Sequence, residues 1–315
     1  MNNIIRFWNQ NRKGIIAGIA AIVFLIVIIQ VLNEMARQRN QAQNENVIQL
    51  TEEEKKLPTE SIIGGEKVSI EQTKDNVEII EEFIEKCNNG DISGAYAMLT
   101  EGCKKQLFST EENFKKGYYD IIFSSKRLTN IENFISNSNR YTYRVNFYDD
   151  ILSTGNAENS TSYQDYITVD ENLENGKISI NSLIYTEDIN KETEKEGITV
   201  TILSKQVYKE NERYEITIKN STDKRISIDS REKSKTVYLV GSDNVSYGSY
   251  ISEIASTLLE IPSNSERTYE IRFNKIYSSG VKTRGIVFSD MVPDYEKYEL
   301  KPNEEKERVK ISVRI

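Results

Sequence analysis

The longest run of apolar residues lies near the amino terminus, where residues 15–32 read IIAGIAAIVFLIVIIQVL. Gln30 is the only strongly polar residue in this stretch. A helix of this length is just long enough to cross a hydrocarbon layer of about 30 Å. The pattern predicts a transmembrane helix over residues 14–32, preceded by a short stub at residues 1–13.

A cleavable signal peptide is the alternative interpretation of the same stretch. Its apolar region usually runs about 7–15 residues and ends in a small-x-small cleavage site. The apolar run here is longer, and Met35 and Arg37 flank Ala36 in the segment that follows. We therefore favour an uncleaved membrane anchor.

The basic residues that flank the span indicate its orientation. Three precede the span and two follow it, namely Arg6, Arg12 and Lys13, then Arg37 and Arg39. The more basic flank of a transmembrane helix tends to stay in the cytoplasm. The sequence therefore predicts a single-pass protein of the cell membrane, with a cytoplasmic stub and extracytoplasmic domains after the bilayer-spanning residues 14–32.

After the span, the periodicity first disappears and then becomes helical. Residues 33–73 show no sustained period and predict a juxtamembrane stalk, with one short strand at residues 67–70. Three helices are then expected from apolar residues at helical spacing. The first begins at Asp75 or Asn76 and ends at Asn89-Gly90, the second covers residues 91–99, and the third begins at Ser109-Thr110.

Downstream of these helices the pattern changes to the alternation typical of strands. The alternating segments are residues 127–135, 140–150, 163–170 and 177–185. Three helices followed by four antiparallel strands predict an α+β domain over residues 74–188.

A charged segment, EDINKETEKEG at residues 187–197, is interpreted as a joint to a second module. Short strands separated by polar turns predict an all-β sandwich over residues 197–298. Residues 250–261 fit a short helix or two edge strands equally well. The charged tail, residues 299–315, ends in the alternating VKISVRI, which predicts a last edge strand.

Composition narrows the chemistry that the chain can perform. It contains no histidine and has a net charge of −8. Residues 1–40 carry five basic side chains and one acidic one, so the rest of the chain carries a net charge of about −12. Such a surface does not favour nucleic acid. No catalytic residue, cofactor or metal site is predicted, and the chain is not expected to be an enzyme.

Two S-x-x-K matches, Ser221–Lys224 and Ser230–Lys233, are the nearest approach to a catalytic motif. A penicillin-binding transpeptidase also needs S-D-N and K-T-G elements; residues 242–244 read SDN, but the sequence lacks K-T-G. We interpret both matches as chance.

The two cysteines, Cys87 and Cys103, are candidates for a disulfide. Disulfides persist outside the cytoplasm, and closing a loop of this size stabilises a domain by about 3 kcal/mol. The alternative is two buried thiols at unrelated core positions. A metal site would need two further ligands.

Residues 83–123, FIEKCNNGDISGAYAMLTEGCKKQLFSTEENFKKGYYDIIF, and 166–185, YITVDENLENGKISINSLIY, resemble the nuclear transport factor 2-like superfamily. That resemblance implies a cone-shaped α+β domain, with three helices in the concave face of a curved antiparallel sheet. The pattern is also similar to the non-catalytic domain near the membrane anchor of Gram-positive penicillin-binding proteins. It is similar, too, to membrane-anchored scaffold subunits of conjugative type IV secretion machines. Residues 214–228, YEITIKNSTDKRISI, resemble immunoglobulin-like sandwiches of secreted Gram-positive proteins.

Two further groups of residues are candidate sites. An aromatic set could line a pocket in the cone, although its spacing also fits core and sheet surface: Tyr118, Tyr119, Phe123, Tyr141, Tyr143 and Tyr166. Gly14 and Gly18 form a G-x-x-x-G pair that would let two membrane helices approach closely in a homo-oligomer, although such pairs also occur by chance.

Together these features predict a non-enzymatic, membrane-anchored protein of the Gram-positive cell envelope. Its extracytoplasmic modules would bind other envelope proteins, and the sharpest version is a scaffold or accessory subunit of a conjugation or secretion complex. The alternative is an extracytoplasmic protein that binds or senses a small ligand or a cell-wall fragment in the cone. A filled interior would favour the first, and a pocket of several hundred Å³ would favour the second.

Overall fold

One long helix and several short ones open the structure, a computed structural model that describes residues 57–150, 161–174, 176–278, 280–300 and 307–315. A π-helical turn, Lys115–Tyr119, connects the last two of these short helices. The helices are α1 (Ile70–Asn88), α2 (Ile92–Ala97), α3 (Glu101–Leu107), α4 (Glu111–Phe114) and α5 (Asp120–Ile122).

Helix α1 begins before its predicted start at Asp75, so that prediction and the strand predicted at residues 67–70 are wrong. Ser69 caps the helix, because its Oγ accepts a hydrogen bond from the Gln72 N–H at 3.1 Å. The polar residues Thr73 and Asn76 lie on the buried face of α1. They interrupt the apolar spacing and so conceal the first turns of the helix in the sequence.

Helix α3 is an addition to the three predicted helices. Thr100 caps it by accepting a hydrogen bond from the Cys103 N–H at 3.0 Å. At seven residues the helix is too short to show a period of its own. The predicted start of the last helix is confirmed, since Thr110 Oγ1 accepts from the Asn113 N–H at 3.2 Å.

The first sheet has the antiparallel order β1-β2-β3-β4. Three predicted strands are confirmed, but the fourth breaks after two residues, because Asn181 and Ser182 both adopt positive φ angles in a tight turn. The end of the predicted stalk lies along the outer edge of β1, where the Glu66 N–H donates to Ser136 O at 2.8 Å. The strands are β1 (Arg127–Asn137), β2 (Arg140–Asp149), β3 (Ser162–Asp170) and β4 (Ile178–Ser179).

Strand β5 (Leu183–Lys195) occupies most of the segment that was interpreted as a charged joint. It is an edge strand of the second sheet, whose order is β12-β7-β6-β5. One side of an edge strand faces solvent, which explains why charged residues replace the expected apolar ones. Its partners in the sheet are β6 (Ile198–Tyr208), β7 (Glu212–Asn220) and β12 (Ser265–Phe273).

The third sheet has the order β10-β9-β13-β14, and the predicted last strand is confirmed as its edge strand β14. Residues 250–261 contain both predicted alternatives in part: a 3₁₀ turn (Ile251–Glu253), helix α6 (Ser256–Leu259) and strand β11 (Glu260–Ile261), which pairs with β8 (Ile226–Ser227). The other elements are β9 (Val237–Gly241), β10 (Ser246–Gly248), β13 (Thr283–Met291), helix α7 (Tyr295–Leu300) and β14 (Val309–Arg314).

Two large apolar cores and one small cluster hold these layers together. The helices cover one face of the first sheet and bury one core, while the second and third sheets enclose the other. Between them lies the joint cluster, formed by Phe134, Ile135, Ile184, Val207 and Tyr277. Residues Leu57–Ile315 accordingly form one compact unit of mixed α and β structure with antiparallel sheets.

Within the described part of the chain, no helix is long and apolar enough to cross a membrane. The predicted transmembrane helix at residues 14–32, with Gly14 and Gly18, lies outside the described residues. The division into domains at residues 74–188 and 197–298 stays a prediction.

The buried carboxylate of Asp165 fixes the turn that leads into β5. It accepts hydrogen bonds from the Asn181 N–H at 2.9 Å, the Ser182 N–H at 3.0 Å and the Tyr118 hydroxyl at 2.8 Å. Burial raises the pKa of Asp165, whereas these donors oppose that shift. Asp165 therefore links the helical layer, strand β3 and the start of β5.

Replacing Asp165 tests this link. We expect Asp165→Ala to lower the free energy of unfolding by about 2–4 kcal/mol, because it leaves buried donors without an acceptor. Urea denaturation of the full-length chain in detergent measures the change. The control is Asp188→Ala, an exposed position on β5, which should change stability by less than about 0.5 kcal/mol. Equal effects of the two substitutions would contradict the proposed role.

Candidate functional site

The aromatic residues that were predicted to line a pocket lie mostly in the core beneath the helices. Tyr118, Phe123 and Tyr143 are buried there, and Tyr119 and Tyr141 pack against the same core while partly exposed. Tyr166 lies apart from them and packs against the joint cluster. The structure thus brings five of the six residues together.

Ring contacts fill the space between the helices and the first sheet. The rings of Phe114 and Tyr118 stack with centroids 5.8 Å apart, and Phe123 meets Phe147 edge-on at 5.5 Å. A cavity of about 170 Å³ remains beside Tyr118 and Asp165. That volume is below the several hundred Å³ expected of a pocket for a small apolar ligand.

Both cysteines belong to the same core and are free thiols in the structure, so the predicted disulfide is not formed there. Burial, with a smaller contribution from Asp91, raises the pKa of Cys87 to about 12. Burial likewise raises the pKa of Cys103 to about 12. Protonated, enclosed thiols are poor nucleophiles, which matches the alternative interpretation of core thiols.

The larger concave feature, the junction cleft, is a polar cavity of about 270 Å³ where the first sheet meets the second. The turn between β1 and β2 forms one side, and residues 275, 277, 278, 281 and 282, between β12 and β13, form another. Strands β5, β6 and β7 contribute the remaining side chains, among them Tyr185, Lys205 and Glu212. The cleft therefore exists only because β5 continues from one sheet region to the next.

A buried ion pair forms the floor of the junction cleft. Lys275 Nζ lies 2.5 Å from Glu212 Oε1, and the two side chains are only 4% and 5% exposed. The other carboxylate oxygen of Glu212 accepts hydrogen bonds from the Tyr214 hydroxyl at 2.7 Å and the Thr283 hydroxyl at 2.9 Å. Because both oxygens of its carboxylate accept hydrogen bonds, Glu212 holds strand β7, Lys275 and the start of β13 in one arrangement.

The wall of the cleft places an aromatic ring between two cations. The Arg140 guanidinium lies 4.2 Å from the centre of the Tyr185 ring, and Lys205 Nζ lies 5.4 Å from it. Arg140 Nε also donates to Asp170 at 2.8 Å. Lys205 Nζ lies 2.8 Å from Glu187 Oε2, whose side chain is 52% exposed, whereas that of Lys205 is 13% exposed.

The charges that line the cleft are predominantly positive. Four cationic side chains face two carboxylates, namely Arg140, Lys205, Lys275 and Lys282 against Glu187 and Glu212. Lys282 is exposed at the rim and forms no ion pair with any described residue. This excess is the opposite of the net charge of −8 on the chain.

Sequence reasoning missed the junction cleft because its residues come from separate strands and loops that only the tertiary structure brings together. In the described residues, no group of three His, Cys, Asp or Glu side chains could hold a metal ion.

The second S-x-x-K match has a structural explanation. The Ser230 hydroxyl donates to Asp290, and Lys233 Nζ lies 3.4 Å from the other oxygen of the same carboxylate. Arg308 Nε also lies 3.4 Å from Asp290. Together these contacts hold the segment before β9 against β13 and β14.

Comparison of the chain with protein-family models, with curated proteins and with solved structures finds no match.

The floor of the cleft can be tested by a double-mutant cycle. We expect Lys275→Met to cost about 3–5 kcal/mol of unfolding free energy, because it leaves the Glu212 carboxylate buried without its cation. Adding Glu212→Gln should recover part of that loss, which urea denaturation would detect. As a control, Lys74→Ala breaks an exposed pair with Glu78 and should cost less than about 1 kcal/mol. Strictly additive losses at Lys275 and Glu212 would contradict direct coupling.

The state of the cysteines can be read from alkylation. With free, buried thiols, we expect the native chain to resist a maleimide at neutral pH and to gain two maleimides per chain after denaturation without reductant. Mass spectrometry counts the additions, and a reduced sample provides the control. Alkylation that requires reductant would instead establish the disulfide between Cys87 and Cys103.

Proposed function

We propose that the chain is a non-enzymatic, single-pass membrane protein whose extracytoplasmic part binds other envelope proteins. In its sharpest form, it is a scaffold or accessory subunit of a Gram-positive conjugation or secretion complex. The apolar stretch at residues 14–32 supports the anchor, and the acidic remainder supports partners other than nucleic acid.

The finer description of the fold is part of this proposal. Helices packed against one face of an antiparallel sheet are consistent with a nuclear transport factor 2-like cone. Two sheets that enclose a common core are consistent with an immunoglobulin-like sandwich. In the proposal, β5 joins the cone directly to the sandwich.

The packed core beneath the helices supports protein binding over the alternative function, the binding of a small ligand. Fully buried side chains such as Phe83, Phe114 and Tyr143 occupy the space that an apolar ligand would need. The proposal therefore assigns recognition to the outer surface. The surface to test first is the cross-strand pair of Leu128 and Tyr148, which are adjacent in register and 53% and 45% exposed.

Cross-linking in living cells tests the proposal. The tagged full-length chain is cross-linked, purified from the membrane fraction, and its partners are identified by mass spectrometry. We expect conjugation or secretion subunits to be recovered with the unmodified chain. Recovery should fall several-fold with Leu128→Ser/Tyr148→Ser, because those substitutions remove the exposed apolar pair.

The matched control is Leu300→Ser, which alters another exposed apolar side chain at a distant point in the sequence and should leave recovery unchanged. Circular dichroism shows whether each variant is folded. Recovery of the chain alone would contradict the scaffold proposal, and equal losses in all variants would exclude Leu128 and Tyr148 as the contact surface.

A further inference from the structure

We infer that the junction cleft binds a small hydroxylated molecule that carries one oxyanion group, either a carboxylate or a phosphate. Lys205 and Lys282 would hold the oxyanion, and the hydroxyl side chains of Ser278 and Thr283 line the same cavity. This site is separate from the Leu128 and Tyr148 surface and does not depend on the proposed protein partners.

The first argument is that Lys205 can exchange its partner. Its ammonium group has three donors and lies against Glu187, whose carboxylate is on the solvent side of the pair. Because the Glu187 side chain is 52% exposed, its carboxylate can turn into solvent when a ligand oxyanion takes its place on Lys205. Burial alone lowers the pKa of Lys205, but Tyr185 and Glu187 outweigh it and keep the lysine charged.

The second argument is that the ion pair in the floor of the cleft cannot exchange its partners in this way. Glu212 and Lys275 are buried, and each oxygen of Glu212 already accepts a hydrogen bond. They therefore keep their arrangement when a ligand enters. A cleft with a fixed floor and replaceable wall contacts is preorganised for binding, which lowers the entropic cost of association.

The third argument concerns the sign of the charge in the cleft and the volume of its cavity. Asp170 neutralises Arg140, so the cleft keeps an excess of one positive charge, on Lys282, and a positive concave site attracts anions even though the chain is acidic overall. A cavity of about 270 Å³ has room for about nine water molecules at about 30 Å³ each, which is the size of one sugar ring.

Titration calorimetry on the purified full-length chain tests the inference with three matched probes: sodium glucuronate, glucose 6-phosphate and neutral glucose. We expect one or both charged probes to bind and glucose not to bind. The charged probe that binds more tightly identifies the oxyanion. Its affinity should fall as salt is added, because screening weakens the attraction.

Single substitutions separate binding from folding. Lys205→Gln and Lys282→Gln should each weaken the charged probe by about tenfold, the loss expected for one charge-assisted contact. Glu187→Gln should strengthen binding, since it removes the carboxylate that competes for Lys205. Lys219→Gln, an exposed lysine on β7 outside the cleft, should leave the affinity unchanged.

The opposite effects at Lys205 and Glu187 are decisive, because a general loss of stability would weaken binding in both variants. Binding of glucose as tight as that of glucuronate would overturn the inference, as would no binding of either charged probe at millimolar concentration. Unchanged affinity in both Lys205→Gln and Lys282→Gln would also overturn it, since the charge would then be recognised elsewhere.

Discussion

Strand β5 is the element on which the rest of the structure depends. Its first residue, Leu183, is buried in the core beneath the helices, Ile184 belongs to the joint cluster, and the remainder pairs with β6 at the edge of the second sheet. A rigid strand that contributes to successive cores leaves little freedom between them. The tight turn at Asn181 and Ser182 sets where β5 starts, and Asp165 holds that turn through its backbone N–H groups. Helices, first sheet and second sheet are thus connected through one carboxylate and one strand.

Local sequence signals predicted the elements that bury a regular apolar face. The alternation in residues 140–150 and 163–170 corresponds to β2 and β3, and the Thr110 cap to the start of α4. Prediction failed where buried positions are polar, as at Thr73 and Asn76 in α1, or where charged residues replace the apolar alternation of an edge strand, as in β5. The aromatic residues were identified, but their packing could not be, because it depends on which helices and strands meet. No local pattern could have indicated the junction cleft, because its side chains are distant in sequence.

Buried polar groups in this structure fix the positions of strands and loops more than they raise the free energy of unfolding. Removing two charges from water is costly, so the pair of Glu212 and Lys275 need not be more stable than an apolar pair of the same size. What it does provide is a single geometry, since Tyr214 and Thr283 bond to the same carboxylate. Tyr277, two residues after Lys275, also belongs to the joint cluster. Burial raises the pKa of Tyr277 to about 12, so its hydroxyl stays neutral in this apolar contact. One short segment therefore supplies both Lys275, in the floor of the cleft, and Tyr277, in the joint cluster.

This coupling explains why a concave site lies at the joint and not beneath the helices. Aromatic rings fill the space between the helices and the first sheet, and such close packing leaves no room for a ligand without a rearrangement of the core. At the joint, in contrast, the strands of the second sheet extend beyond their own apolar core, and charged side chains occupy the uncovered positions. Ion pairs satisfy those side chains in the absence of a ligand. Because Lys205 pairs with an exposed carboxylate, it can accept a new partner without exposing any part of either core. A ligand bound there would contact both sides of the joint, and its binding energy would stabilise the arrangement of β5 that the surrounding structure already imposes.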